Sequence, residues 1–196
     1  YFKNKNNPRF IIEFGPDLGI LTDYISKQFK PEKYFLIEPN RKLHHSLSKI
    51  KNTEVYEEYN QIKDLRDNSV DLIIMVHVFD HILNPKELLF SLQKKLKKTG
   101  SIFLVTHNTN SFLRYLLDKN WPPFCMYHPQ LYNERSMLKL LEICNLNNIE
   151  IVKTKNYFKL SSYINAFFSI FKINVNFNFG PVIKMKVGNI ASIGEK

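Results

Sequence analysis

The chain has 196 residues, of which 44% are hydrophobic, and its 28 basic and 18 acidic side chains give a formal net charge of +10. That length can bury one good core, so one domain over 1–196 is expected, and the lack of a long apolar run excludes a transmembrane helix. The two cysteines, Cys125 and Cys144, have neither metal-ligand spacing nor the number for a disulfide framework, which suits a reducing cytoplasm. The chain starts at Tyr1 with a strand-like run following almost at once, and an N-terminal segment is expected to be missing. The excess charge is mostly lysine scattered among Asn, Ile, Phe and Tyr, without a dense Arg cluster or a basic-aromatic stripe. A solvated lysine surface accounts for it better than a nucleic-acid partner does.

Strand-like runs fall at Phe10–Phe14, 34–38, 54–56, Val70–Val76, 101–106 and 149–157, with a last one within 183–193. Helical spacing alternates with them. Ile20, Leu21, Tyr24, Ile25 and Phe29 follow the first strand, and Leu88, Leu89, Leu92 and Leu96 precede Gly100, which is expected to end that helix in a left-handed conformation. A third helix is expected over 134–144, and an amphipathic one over 163–172 with Ile164, Phe167, Phe168 and Phe171 on one face. That face could meet a lipid-like substrate, a membrane surface or a dimer partner. The plainer reading is packing on the core, since few basic residues flank it. Alternating strands and helices predict an α/β domain with a mainly parallel sheet.

The first strand leads into Glu13-Phe14-Gly15-Pro16-Asp17-Leu18-Gly19, and the second ends at Glu38, 23 residues beyond Gly15. A glycine turn after a strand lets backbone approach a ligand, and an acid at the next strand end can hold ribose hydroxyls. Here the glycines are four apart with Asp17 between them, whereas a dinucleotide turn has Gly-x-Gly-x-x-Gly and receives a pyrophosphate. Acids beside the ligand disfavour pyrophosphate and suit a cationic cofactor such as S-adenosylmethionine (SAM). Asp tolerates a left-handed backbone well, so Asp17 is compatible with such a turn.

The motif Glu13-x-Gly15-x-Asp17-x-Gly19 followed by Glu38 resembles the first two motifs of class I SAM-dependent methyltransferases. The stretch from Asn68 to Pro85, with Val70-Asp71-Leu72-Ile73 and His77-Val78-Phe79-Asp80-His81, is similar to the strand-four region of that family, often S-F-D-L-V and H-V-L-E-H. Residues 96–101, L-K-K-T-G-S, stand where the family has L-K-P-G-G. Asn108, Trp121, Pro123, His128 and Tyr132 resemble the C-terminal half of small-molecule methyltransferases of quinone and sugar pathways. The chain departs from the pattern at Asp17, at Asp80 in place of Glu, and in the missing proline before strand five.

The resemblance implies a Rossmann-like class I methyltransferase fold, seven strands mostly parallel with an antiparallel last strand, and SAM as cofactor. The cofactor set it implies is Glu13, Gly15, Pro16, Asp17 and Gly19 in the turn, Glu38 and Pro39 after strand two, Glu58 near the adenine, and His77 at the methionyl end. Glu57 and Asn60 share the neighbourhood of Glu58. The catalytic candidates are His81 as general base, His77 and His107, all expected beyond the carboxyl ends of parallel strands. In some ubiquinone-pathway relatives the positions of His77, Asp80 and His81 read Glu-x-x-Glu-His and hold a divalent metal. Because the H-V-L-E-H pattern is widespread without metal, no metal is expected here. Trp121, Phe124, Tyr127 and His128 are expected in a lid-like loop. His44 and His45, on a helix taken to be exposed, are given no role.

The expected activity is methylation of a small molecule, a sugar or polysaccharide-pathway intermediate or a quinone-like precursor, by a cytoplasmic protein for which a homodimer is open. The alternatives are a degenerate binding module, with Asp17 pointing into a filled cleft, and a nucleic-acid methyltransferase. The [DNS]-P-P-[YFW] motif of base amino-group methylation is absent after strand four.

Overall fold

The computed structural model describes residues 7–170, 173–186 and 188–196. In chain order the elements are β1 (Phe10–Phe14), α1 (Ile20–Phe29), β2 (Lys33–Ile37), α2 (Arg41–Leu47), β3 (Thr53–Tyr56), β4 (Val70–Val76), α3 (Pro85–Lys95), β5 (Leu96–His107), α4 (Phe112–Leu117), α5 (Glu134–Ile143), β6 (Asn147–Lys153), β7 (Asn156–Lys159), α6 (Leu160–Ile170), β8 (Val182–Met185) and β9 (Asn189–Glu195). Seven strands form one sheet in the order β3-β2-β1-β4-β5-β9-β6. Six run in the same direction, and β9, the last in the chain, runs antiparallel to them between β5 and β6. This is the expected fold class. Among the described residues no helix is long and apolar enough to cross a membrane.

The central strands are apolar runs because helices cover both faces of the sheet. Alternate residues sort the core into two clusters. Ile12, Phe14, Ile73 and Met75 pack with Leu89 and Leu92 of α3 and Met137 and Leu141 of α5. Ile11, Leu36, Leu72 and Ile74 pack with Ile25 of α1 and Leu47 of α2. Leu89 and Leu92 are fully buried, each contributing about 1.5–3 kcal/mol relative to exposure. Pro85 at the start of α3 sets the backbone where a helix has no N–H partner to lose.

Three expectations on local structure are corrected. Gly100 does not end a helix. Helix α3 stops at Lys95, and Leu96 turns into β5 with its side chain fully buried in the core. The sheet register jumps from Val70↔Leu96 to Leu72↔Ser101, so residues 97–100 form a bulge. A Cβ on Gly100 would lie 2.8 Å from the Val70 carbonyl oxygen, so glycine is needed there for close backbone approach. The runs 149–157 and 183–193 each divide in two. Their outer parts pair as the antiparallel ribbon β7–β8, separate from the main sheet. Helix α6 connects the ribbon strands and begins at Leu160, earlier than expected. Phe168 meets Phe177, which meets Phe179, while Phe167 is half exposed. Tyr1, Phe171 and Lys172 lie outside the described residues.

Candidate active site

The carboxyl ends of β1, β2 and β4 open onto a cleft of about 860 Å³. Gly15, Glu38, Pro39, Glu58, His77 and His81, all expected site residues, line it together with Glu57, Tyr59 and Asn60. Pro16, Asp17 and Gly19 shape the turn at its edge without lining it. Gly15, Asp17 and Gly19 have φ of 61°, 50° and 74°. The turn is closed by Gly15 N–H donating to the Ile37 carbonyl (2.9 Å) and Gly19 N–H to that of Pro16 (2.9 Å). A Cβ on Gly15 would stand 2.5 Å from Val78 Cγ2, so the loop after β4 packs directly on the glycine. The Asp17 side chain is exposed and outside the cleft lining, contrary to the arrangement a degenerate site predicts.

Glu38 is 7% exposed, and its two carboxylate oxygens each accept one backbone hydrogen bond, from Asp17 N–H (3.2 Å) and Asn40 N–H (2.8 Å). A carboxylate has further lone pairs, so both oxygens retain capacity to accept from a ligand hydroxyl. The strand end is braced by His44, whose Nε2 lies 2.6 Å from the Glu38 carbonyl oxygen. His44 is therefore half-buried and engaged, in contrast to the exposed helix position expected of it. Glu58 begins the 3-10 turn Tyr59–Ile62, where Gln61 Oε1 accepts from the N–H groups of Glu57 and Glu58 at 2.8 and 2.9 Å.

Glu13 does not reach the cleft. It shares the strand face of Ile11, toward α1, where its carboxyl accepts from Thr22 Oγ1 (2.8 Å) and the Tyr34 hydroxyl (2.5 Å) at 3% exposure. Burial raises its pKa above the ordinary carboxylate value, and the hydrogen bonds from Tyr34 and Thr22 oppose that rise. Burial also raises the pKa of Tyr34, reinforced by the Glu13 charge. In this structure Glu13 ties β1 to β2 and α1.

Beyond β4 and β5, four histidine rings gather around one buried acid. His77 and His107 rings are 4.9 Å apart, His107 and His128 5.0 Å, and His81 and His128 4.6 Å. Asp80 is fully buried; its Oδ2 accepts the His107 N–H at 3.1 Å, while its Oδ1 has no partner. Burial pushes its pKa up to about 6, against the His107 hydrogen bond and the nearby histidines. Burial depresses His107 to about 4, helped by His77, and His77 is lowered by burial and the charges of His128 and His81. His107 does not line the cleft; it stands behind His77, edge-on to Trp121 at 6.2 Å. His81 turns toward the aromatic loop, with Nδ1 2.6 Å from the Tyr127 carbonyl oxygen. A carbonyl only accepts, so Nδ1 carries the proton and Nε2 is the basic nitrogen.

The loop thus holds two kinds of residue. Trp121 is buried against His107 and Phe124, whereas Tyr127 and Met126 are exposed. Asn189, at the start of β9, reaches both His107 and His77. Asn189 carries no local sequence signal, since its partners lie on distant segments, and His128, expected in the loop, joins the histidine cluster.

The family model for a methyltransferase domain matches residues 1–151. No curated protein sequence matches the chain. Among solved structures, the YcgJ protein from Bacillus subtilis is similar with a TM-score of 0.68 at 14% identity, over 98% of this chain and 94% of that one. A SAM-dependent methyltransferase from Archaeoglobus fulgidus has a TM-score of 0.67 at 18% identity, over 100% and 90%. The plantazolicin methyltransferase BamL, in complex with a triazolic desmethylPZN analog and S-adenosylhomocysteine (SAH), has a TM-score of 0.59 at 14% identity, over 96% and 77%. The chain belongs to the methyltransferase-domain family and has the fold of SAM-dependent methyltransferases.

Proposed function

We propose that the chain transfers the methyl group of SAM to a small molecule, with the cofactor in the cleft between Glu38 and His81. The carrying observation is the open cleft at the strand ends, where a backbone-braced acid stands on one side and a histidine with a free basic nitrogen on the other. Glu38 accepts from the ribose hydroxyls, the Gly15 backbone admits the methionyl part, and Pro39 and Glu58 flank the adenine. Pro16, Asp17 and Gly19 act through the shape of the turn, and His77 lies at the methionyl end.

Methyl transfer from a sulfonium is an in-line displacement with a good leaving group, so the protein's main tasks are alignment and exclusion of water. As the acceptor atom bonds to the methyl carbon, the carbon–sulfur bond breaks and SAH is left as a neutral thioether. Where the acceptor is a hydroxyl or amine, its proton passes to His81 Nε2. A sugar or polysaccharide-pathway intermediate is the first acceptor class, and a quinone-like precursor the second. SAH release should be measured with SAM and both acceptor classes, for the wild type and His81→Gln. The proposal expects turnover with one class and a loss of about 100-fold or more in kcat for H81Q, with KM for SAM nearly unchanged. An H81Q variant as active as the wild type removes His81 as base.

A further inference from the structure

We propose that His77, Asp80 and His107 form a binding site for a single divalent transition-metal ion, of the kind typified by Zn²⁺, behind the part of the cleft wall that His77 forms. Each of the three offers a ligand atom within 4.8 Å of the other two. Tetrahedral coordination at zinc bond lengths needs ligand atoms about 3.3 Å apart, so side-chain adjustment of about an ångström or more closes the set around an ion. Two of the groups already lack partners: His77 Nδ1 and Asp80 Oδ1 are buried with no hydrogen bond. Leaving each unsatisfied carries its full desolvation cost, and a buried orphan of this kind calls for an ion or water. One bound cation satisfies both.

The third ligand is already oriented. His107 Nδ1 faces Asn189 Oδ1 at 3.1 Å, and because the amide oxygen only accepts, Nε2 is left as the lone-pair nitrogen. A metal-bound imidazole held by such a second hydrogen bond is the usual arrangement. Asn189 Nδ2 faces His77 Nε2 at 3.4 Å and can only donate, so Nε2 is the acceptor and Nδ1 holds the proton; ligation through Nδ1 moves that proton to Nε2 and gives up this one long contact. Two imidazoles and one carboxylate suit a transition metal, whereas Mg²⁺ and Ca²⁺ select oxygen-rich sites. The linear pattern His77-x-x-Asp80-His81 names a different third residue. In the structure His81 turns toward the Tyr127 carbonyl and is not in the group of ligand atoms within 4.8 Å of one another, where His107 from β5 takes its place.

Zn²⁺ alone should be titrated into the apo full chain by competition with a chromophoric chelator, alongside Asp80→Asn, His107→Gln, Asn189→Ala, His81→Gln and His45→Gln. The expected result is one ion per chain, more than ~100-fold weaker binding in D80N and H107Q, and a ~10–100-fold loss in N189A as a positioning residue. H81Q and H45Q should change affinity less than about threefold, and Zn²⁺ should raise the melting temperature of the wild type but not of H107Q. If D80N does not fold, H107Q and N189A decide the matter alone. No stoichiometric uptake by the wild type, or uptake unaffected by H107Q, overturns the proposal, as does loss in H81Q with retention in H107Q. SAH titration without metal separates the two readings: SAH binding without Zn²⁺ uptake sinks only the metal site.

Discussion

Gly15→Ala tests how tightly the turn and the strand-four loop are packed. The backbone at Gly15 has φ of 61°, a conformation that costs a residue with a Cβ about 1–2 kcal/mol. The added Cβ would stand 2.5 Å from Val78 Cγ2, while Val78 Cβ is at an ordinary 3.8 Å, so nearly all of the overlap involves one methyl. Overpacking of this kind costs about 1–3 kcal/mol, which makes the expected loss for G15A about 2–5 kcal/mol. Val78→Ala deletes the offending methyl. The double variant should therefore recover the clash and keep only the backbone strain, giving a coupling of about 1–3 kcal/mol in the cycle. Urea unfolding of the four proteins at matched m-values measures it. Additivity within about 0.5 kcal/mol, or a G15A loss below about 1 kcal/mol, refutes the packing argument.

Two further outcomes follow from buried groups. Burial raises the Glu13 carboxyl above its ordinary 4.5, so between pH 4.5 and the raised value the folded chain holds a proton that the unfolded chain has released. Stability then falls as pH climbs through that window and levels off above it. Glu13→Gln abolishes this titration, so its urea midpoint should gain on the wild type as pH rises from about 4.5 to about 8; a constant difference contradicts the reading. Trp121 is buried between His107 and Phe124, and Trp121→Ala should cost about 3–5 kcal/mol in the same assay. A loss below about 1 kcal/mol would mean that the loop is not anchored there.

The parallel strands, the glycine turn and Glu38 are legible in the sequence because each depends on short-range pattern: apolar runs, a glycine spacing, an acid at a strand end. Asp17 fits for the same reason, since its left-handed backbone is a local property. The direction of Glu13 is not legible. With both sheet faces apolar, strand parity does not tell which face carries Thr22 and Tyr34. Gly100 reads as a helix stop because its spacing from Leu96 imitates one, while the clash that requires it comes from Val70, on a neighbouring strand. His77, His107 and Asn189 come together only through the order of β4, β5 and β9, which no local motif records.

Calorimetric titration of the chain with SAH, in parallel with Glu38→Ala, decides whether the cleft holds the cofactor. Glu38 is the acid that the turn and the strand end jointly brace at the cleft. One SAH should bind per chain, and E38A should weaken that binding by at least ~100-fold, through lost charge-assisted hydrogen bonds to the ribose and lost support for the turn. Absence of SAH binding by the wild type, or equal affinity in folded E38A, contradicts this expectation.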